Sequence, residues 1–363
     1  MRERRRAQKT RRKLVTLGAA LAVAVAPVLA QQARATTPTP GPVVVAGGLD
    51  MPLQMDVGAQ GRILVTQATK VSVVDAHGNV SDLVDTAPAG PGGVAFAPFG
   101  GVLFTTSDFD AGEHLLKVRD VHGNVRTLAD LGAYEKAKNP DQVNTYGFKS
   151  LPAGCADQIP DELKPFVLPY KGLVDSHPYA LAATPLGVFV AEAGGNDILF
   201  VDWFGRIRTT AVLPPIPVTV TAAGAAANGL PPCVAGRVMR FEPVPTDVEL
   251  SRAGKVLVTS LPGGVEDDSL GYNGSVFEVN PWGGRPNMIA KGFGGATNLA
   301  VAGDGSIYVA ELFAGRVSKV VHGGPAPVAD LEMPAALEWC GGRLFATTNI
   351  FVPGGGDIVR FSP

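Results

Sequence analysis

Apolar and polar positions along this chain follow a unit of about forty residues. The unit reads apolar stretch, glycine, apolar triplet, polar gap, apolar stretch, tight turn, apolar stretch. It recurs six times, from near Gly48, Gly90, His177, Pro245, Gly295 and Pro334. The sharpest copies are GLDMPLQMDVGAQGRILVTQATKVSVVDAHGNVSDLV from Gly48 and GATNLAVAGDGSIYVAELFAGRVSKVVHGG from Gly295. One unit of four short strands cannot bury both faces of its sheet, whereas six packed radially can. The pattern therefore predicts an all-β fold, a six-bladed β-propeller of four-stranded antiparallel blades.

Second strands align as ILV at Ile63, VLF at Val102, VFV at Val188, VLV at Val256, IYV at Ile307 and LFA at Leu344. A glycine-containing turn precedes each, because such hairpins need a positive φ. The sixth copy reaches Pro363 after only its third strand. Pro42–Ala46 is expected to supply the missing one, closing the ring and removing an open edge.

Turns between third and fourth strands are alike: AHGN at Ala76, VHGN at Val121, WFGR at Trp203, PWGG at Pro281 and VHGG at Val321. His77, His122 and His322 hold equivalent turn positions on separate blades, so a structural role is expected for them. Three long insertions break the repeat, at 132–175, 214–244 and 262–274. All follow second or fourth strands, which places them on one face. Functional groups concentrate on irregular loops over a rigid scaffold, so that face should hold the site, at the mouth of the central channel. Cys155 and Cys233 lie in the first two insertions. In an oxidising compartment they are expected to form a disulfide, with Cys340 left as a buried free thiol.

That compartment is read from the first 35 residues. A basic run, an apolar run from Leu14 to Ala30 and the small-x-small Ala33-Arg34-Ala35 describe a secretory signal peptide, followed by a short linker over 36–41. Arg11-Arg12 also fits twin-arginine export, and an uncleaved anchor is the other reading of the apolar run. No cysteine follows that run, so a lipoprotein anchor is excluded. Residues 1–35 hold nine of the 31 Lys and Arg but one of the 33 Asp and Glu. The remaining chain is acidic, at about −10. Nucleic acid is excluded as a partner and an anionic membrane surface is disfavoured. A small neutral or cationic molecule, or an extracellular protein, fits the insertion-bearing face. No membrane span is expected after cleavage, and a secreted or envelope-located monomer is the expected form.

Inner strands begin with Leu53-Gln54, Gly92-Gly93, His177-Pro178-Tyr179, Thr246-Asp247, Thr297-Asn298 and Ala335-Ala336. The polar members cluster on blades three to five: His177, Tyr179, Thr246, Asp247, Thr297 and Asn298. Glu192 and Glu311 end second strands facing the same way. Buried polar groups need partners, so the set reads as a ligand site in which Asp247 and Asn298 could hold Ca²⁺ or another divalent cation. The competing reading has Asp247 and Asn298 bonding backbone at blade starts, with Glu192 and Glu311 serving loop N–H groups or Arg316. Asn196 and Asp197 read as turn formers. Glu266, Asp267 and Asp268 read as a solvated acidic loop. The spacing supports no zinc site, nucleophile elbow, P-loop or dinucleotide fingerprint.

Long strings resemble the ScyD/ScyE family: GAYEKAKNPD at Gly132, DSHPYALAATPLGVFVAEAGGNDIL at Asp175, the stretch from Glu242 and GFGGATNLAVAGDGSIYVAELFAGRVSKV at Gly292. The resemblance covers nearly all of the chain beyond the leader. It implies a secreted six-bladed propeller related to NHL and gluconolactonase-like proteins, without an established activity. Ser176-His177-Pro178-Tyr179 departs from the Ser-Asn-Pro-Tyr that the family tends to carry, which bears on ligand choice. The leading expectation is an exported ligand- or partner-binding propeller without chemistry of its own. The alternative is a metal-assisted lactonase or esterase in which Asp, Asn and Glu hold the cation. A quinone-dependent dehydrogenase would need a catalytic histidine, for which His177 is the candidate.

Overall fold

Strand-forming β-branched residues at alternate positions give 27 strands in the computed structural model, which describes residues 41–264 and 269–363. The leader, most of the linker, and Glu266, Asp267 and Asp268 lie outside the described residues. Six sheets have four strands each, in consecutive antiparallel order. Sheet one runs from Met55 to Asp85, sheet two from Gly90 to Asp130 and sheet three from Pro178 to Val212. Sheet four runs from Pro243 to Phe293 and sheet five from Ala296 to Asp330. Sheet six combines Leu337–Cys340, Arg343–Thr348 and Gly356–Phe361 with Val43–Leu49, which pairs antiparallel with Gly356–Phe361. The sixth copy thus takes its fourth strand from the other end of the described chain, a strand that ends three residues beyond the Ala46 that the sequence pattern marks.

The apolar core consists of seams between sheets. Leu64 and Val71 meet Val94 and Phe104 between sheets one and two. Leu103 and Leu116 meet Val188 and Val190 between two and three. Comparable clusters join three to four, four to five, five to six, and six to one. Each sheet thereby buries both faces, the requirement that the repeat imposes. First strands touch in the same cyclic order. Close approach explains Gly92 and Gly93: a Cβ on Gly93 would lie 2.7 Å from the Ala180 carbonyl carbon, and one on Gly92 2.3 Å from Pro178 O. The architecture is all-β, of the β-propeller kind.

The turns after the third strands of sheets one, two and three are Asx turns. Asp75, Asp120 and Asp202 accept from the backbone N–H groups two and four residues ahead, as at His77 (2.8 Å) and His122 (2.9 Å). His77, His122 and His322 are exposed turn residues, as their equivalence indicates.

The first two insertions fold together, which the repeat does not reveal. Gly147–Phe148, Val238–Phe241 and Ile216–Thr219 form a seventh, three-stranded sheet. Phe148, Ile159, Val218, Val234 and Met239 share a core with Cys155. The Cys155–Cys233 disulfide crosses it, linking positions 78 residues apart. Helix α1, Leu131–Lys138, starts where Asp130 caps Ala133 N at 2.8 Å. The second insertion ends at Glu242, since Pro243 and Val244 already belong to sheet four. Cys340 is free, and half-buried rather than buried. Among the described residues no helix is long and apolar enough to cross a membrane.

Candidate functional site

Where the first strands converge on the insertion side, a cavity of about 270 Å³ opens. His177, Tyr179, Thr246 and Thr297 line it, so four of the eight candidates meet there. The rest of its wall is apolar and includes Leu53, Leu261, Phe313 and Phe351. Phe351 belongs to the loop between the second and third strands of sheet six, where a short NIFVPGGG gap gave little sign of a site. Met51, Leu53 and His177 also border a wider cleft of about 740 Å³ against sheets one and two, with Asp108, Phe109 and Asp110. A further apolar cavity of about 310 Å³ lies inside the insertion body, beside the Tyr170–Glu242 hydrogen bond of 3.1 Å.

His177 is fixed by ring contacts, edge-on to Phe109 at 5.2 Å and to Tyr179 at 5.6 Å between centroids. Burial holds its pKa below the usual value, against the opposing pull of Asp175. At neutral pH it is therefore a neutral imidazole, able to donate at one nitrogen and accept at the other. Thr246 Oγ1 donates to Ala296 O at 2.7 Å, and Thr297 Oγ1 to Ala335 O at 3.0 Å. These hydroxyls tie each first strand to the next sheet and leave lone pairs for a ligand.

The other four candidates serve the scaffold. Asp247 Oδ2 accepts from Leu299 N at 2.9 Å, and Asn298 Oδ1 from Leu337 N at 2.9 Å. Each stitches its sheet to the following one. Asn298 Nδ2 donates 3.0 Å to Gln54 Oε1, while Gln54 Nε2 donates 3.2 Å to Thr246 O. Gln54 of sheet one thus spans to sheets four and five as a bar beneath the cavity. Below it, Asp56, Asp247, Glu249 and Glu338 approach one another, and burial raises the pKa of each, Asp247 to about 7. Glu192 accepts from Ser176 Oγ (2.7 Å) and Gly195 N (2.5 Å). Glu311 pairs with Arg316 at 2.7 Å and accepts from Gly294 N at 2.7 Å. Neither lines the cavity.

The residues do not fit a resident divalent cation at Asp247 and Asn298. Asp247 Oδ2 and Asn298 Oδ1 are engaged by backbone amides, and among the described residues no three His, Cys, Asp or Glu side chains gather in a metal-holding arrangement.

A second polar assembly escaped the sequence pattern. Where helix α1 lands on sheet three, Glu135, Asp141, Glu192 and Asp197 are all buried, at most 3% exposed. Asn196 takes the left-handed turn conformation (φ 55°), as a turn former should. Asp197 instead begins a strand and is fully buried. Asn196 Nδ2 donates to Asp141 Oδ2 at 2.9 Å. Glu135 Oε1, Asp141 Oδ1, Asn196 Oδ1 and Asp197 Oδ1 find no donor. Burial, then repulsion from Glu192, pushes Glu135 up to about 8, and burial lifts Glu192 to about 7. Asp197 lies well above its usual range for the same reason. Glu135 therefore keeps its proton at neutral pH.

No family model matches the chain, and no curated protein matches it. Solved structures do. The chain is similar to an oxidoreductase provisionally assigned as a glucose dehydrogenase from Thermus thermophilus, at TM-score 0.53 and 15% identity, covering 88% of this chain and 98% of that one. It is similar to the PQQ-bound aldose sugar dehydrogenase of Streptomyces coelicolor, at 0.51 and 14%, covering 88% and 96%. A gluconolactonase of Xanthomonas campestris gives 0.50 and 12%, with 89% of each chain covered. At such identities the likeness concerns the β-propeller fold alone.

Proposed function

We propose that this chain is an exported six-bladed β-propeller of the ScyD/ScyE type, closed by Val43–Leu49, that binds a small organic ligand or an extracellular protein segment at its channel mouth. The observation that carries this reading is the cavity of about 270 Å³ and the cleft beside it, joined at Met51, Leu53 and His177. Six interlocked seams support the blade count, and pairing across the chain ends supports the closure. An apolar wall with a few convergent polar groups is the usual composition of a ligand pocket. Asp108 and Asp110 on the rim favour a neutral or cationic ligand over an anion.

The test is a thermal-shift and calorimetric screen of neutral and cationic aromatic compounds, repeated on His177→Ala and Tyr179→Ala. Saturable binding that falls about tenfold in either variant supports the reading. Binding unchanged in both moves the site elsewhere. A metal-assisted lactonase or esterase is the second reading, prompted by the family resemblance. It would require Asp247 and Asn298 to release Leu299 N and Leu337 N. Titration of chelator-treated protein with Ca²⁺, Mn²⁺ and Zn²⁺, alongside Asp247→Ala, decides it: tight binding lost in the variant would restore that chemistry.

A further inference from the structure

The face opposite the insertions is built from turns after first and third strands, and it carries an unusual set of side chains. Phe204 is 86% exposed, Trp282 78% and Phe99 75%. They project from turns of sheets three, four and two respectively. The patch is continuous. Phe99 lies edge-on to Trp203 at 5.7 Å, and Trp203 Nε1 donates to Pro185 O at 2.9 Å. Leu186 follows, itself exposed, and shares with Trp282 a cleft of about 310 Å³ floored by Phe200 and Leu250. Arg208 Nη2 donates 2.8 Å to Pro281 O, fixing the turn that bears Trp282.

Cations stand among these aromatics. Arg206, Arg252 and Arg285 are exposed on the turns of sheets three and four, and Lys255 is half-exposed beside them. Two acids share the turns of sheets two to four, Asp120 and Asp202, and Asp202 pairs with Arg206 at 2.5 Å, so four cations stand against two acids there. The chain beyond the leader is acidic overall, so this face is positive against the trend, and whole-chain charge hides it. Aromatic tips amid arginines, on tight turns that offer no rim to enclose a peptide, match a headgroup interface. We propose that this face docks on an anionic lipid surface, with Phe99, Phe204 and Trp282 entering the headgroup layer while Arg206, Arg252 and Arg285 meet its phosphates. The ligand site would then face away from the membrane.

Tryptophan emission tests this directly. The three tryptophans are Trp203, Trp282 and Trp339, so the leader contributes no signal. The full chain is titrated with phosphatidylglycerol–phosphatidylcholine vesicles and with pure phosphatidylcholine. The expected result is a blue shift and protection from acrylamide with the anionic vesicles only. Trp282→Phe should remove most of the shift while vesicle binding persists. Arg252→Glu combined with Arg285→Glu should weaken binding at least about tenfold, with the melting temperature unchanged. Three results would overturn the proposal. Emission could stay unchanged even where the chain sediments with vesicles, placing the contact elsewhere. The charge-reversed variant could bind as the wild type does. The shift could follow protein concentration without lipid, making the face an interface between copies.

Discussion

Asp247 and Asn298 at the first-strand seams, and Glu135, Asp141 and Asp197 under helix α1, are the same kinds of residue buried to the same degree. They reach opposite ends. Each inner-strand side chain meets a backbone N–H of the neighbouring sheet at 2.9 Å. The radial repeat delivers that donor at a fixed height, so a single acidic or amide residue suffices. Under helix α1 the acids arrive from two directions, an insertion and a second-to-third strand turn, and no repeated backbone donor meets them. Four oxygens stay without a donor there. Burial of a polar group thus marks scaffold where the repeat supplies its partner, and a proton-holding seam where it does not.

The largest effect should come from unfastening the insertion that seals this seam. Cys155→Ser with Cys233→Ser removes a link across 78 residues, at a cost of about 4 kcal/mol in the chain-entropy view. Limited proteolysis should then cut within 132–175 and 214–242 before any of the six sheets. Cleavage of sheets and insertion together would show that the two regions do not differ in local stability.

Next in size is the stitched side. Asn298→Ala strands Leu337 N–H and the Gln54 amide, and should cost about 2–3 kcal/mol in denaturant unfolding. A cost near zero would mean that these bonds are not what holds the inner strands.

The seam should answer to pH instead. Glu135 sits near 8 and Glu192 near 7 in the fold, against 4.5 as their ordinary value. Between about pH 4.5 and 8 the folded chain therefore holds protons that the unfolded chain has released, so stability falls as pH rises through that window. The wild-type melting temperature should drop on the order of 5 °C from pH 5 to pH 8. Glu135→Gln should flatten much of that slope, and the disulfide-free variant should flatten it too by opening the seam to water. A slope that persists in both would assign the protons to Asp56, Asp247, Glu249 and Glu338 beneath the Gln54 bar.

These two regions also show what a linear sequence exposes. The strand repeat, the disulfide and the column from Gln54 to Asn298 were legible because each follows from period, from the place of the cysteines in neighbouring insertions or from equivalence between copies. The seam was not, because Glu135 and Asp197 are separated by an insertion whose path the repeat does not specify. Asp197 even resembles its neighbour Asn196, a true turn residue, until the strand register places it inside. The aromatic face was hidden for a further reason. Phe99, Phe204 and Trp282 occupy loop positions in separate copies, and only the ring of turns brings them together.

His177 lies between the two behaviours, and its effect should be the smallest. It packs against Phe109 and Tyr179 yet makes no hydrogen bond between sheets through its ring. His177→Asn should change stability by about 1 kcal/mol, the worth of its two ring contacts. Its consequence belongs to the cavity. Exchanging a neutral imidazole for a shorter amide enlarges the mouth and removes an aromatic edge, so compounds selected by the wild type should bind more weakly while the melting curve stays in place. A variant that instead melts early with affinity intact would move His177 to the scaffold side, alongside Asp247 and Asn298.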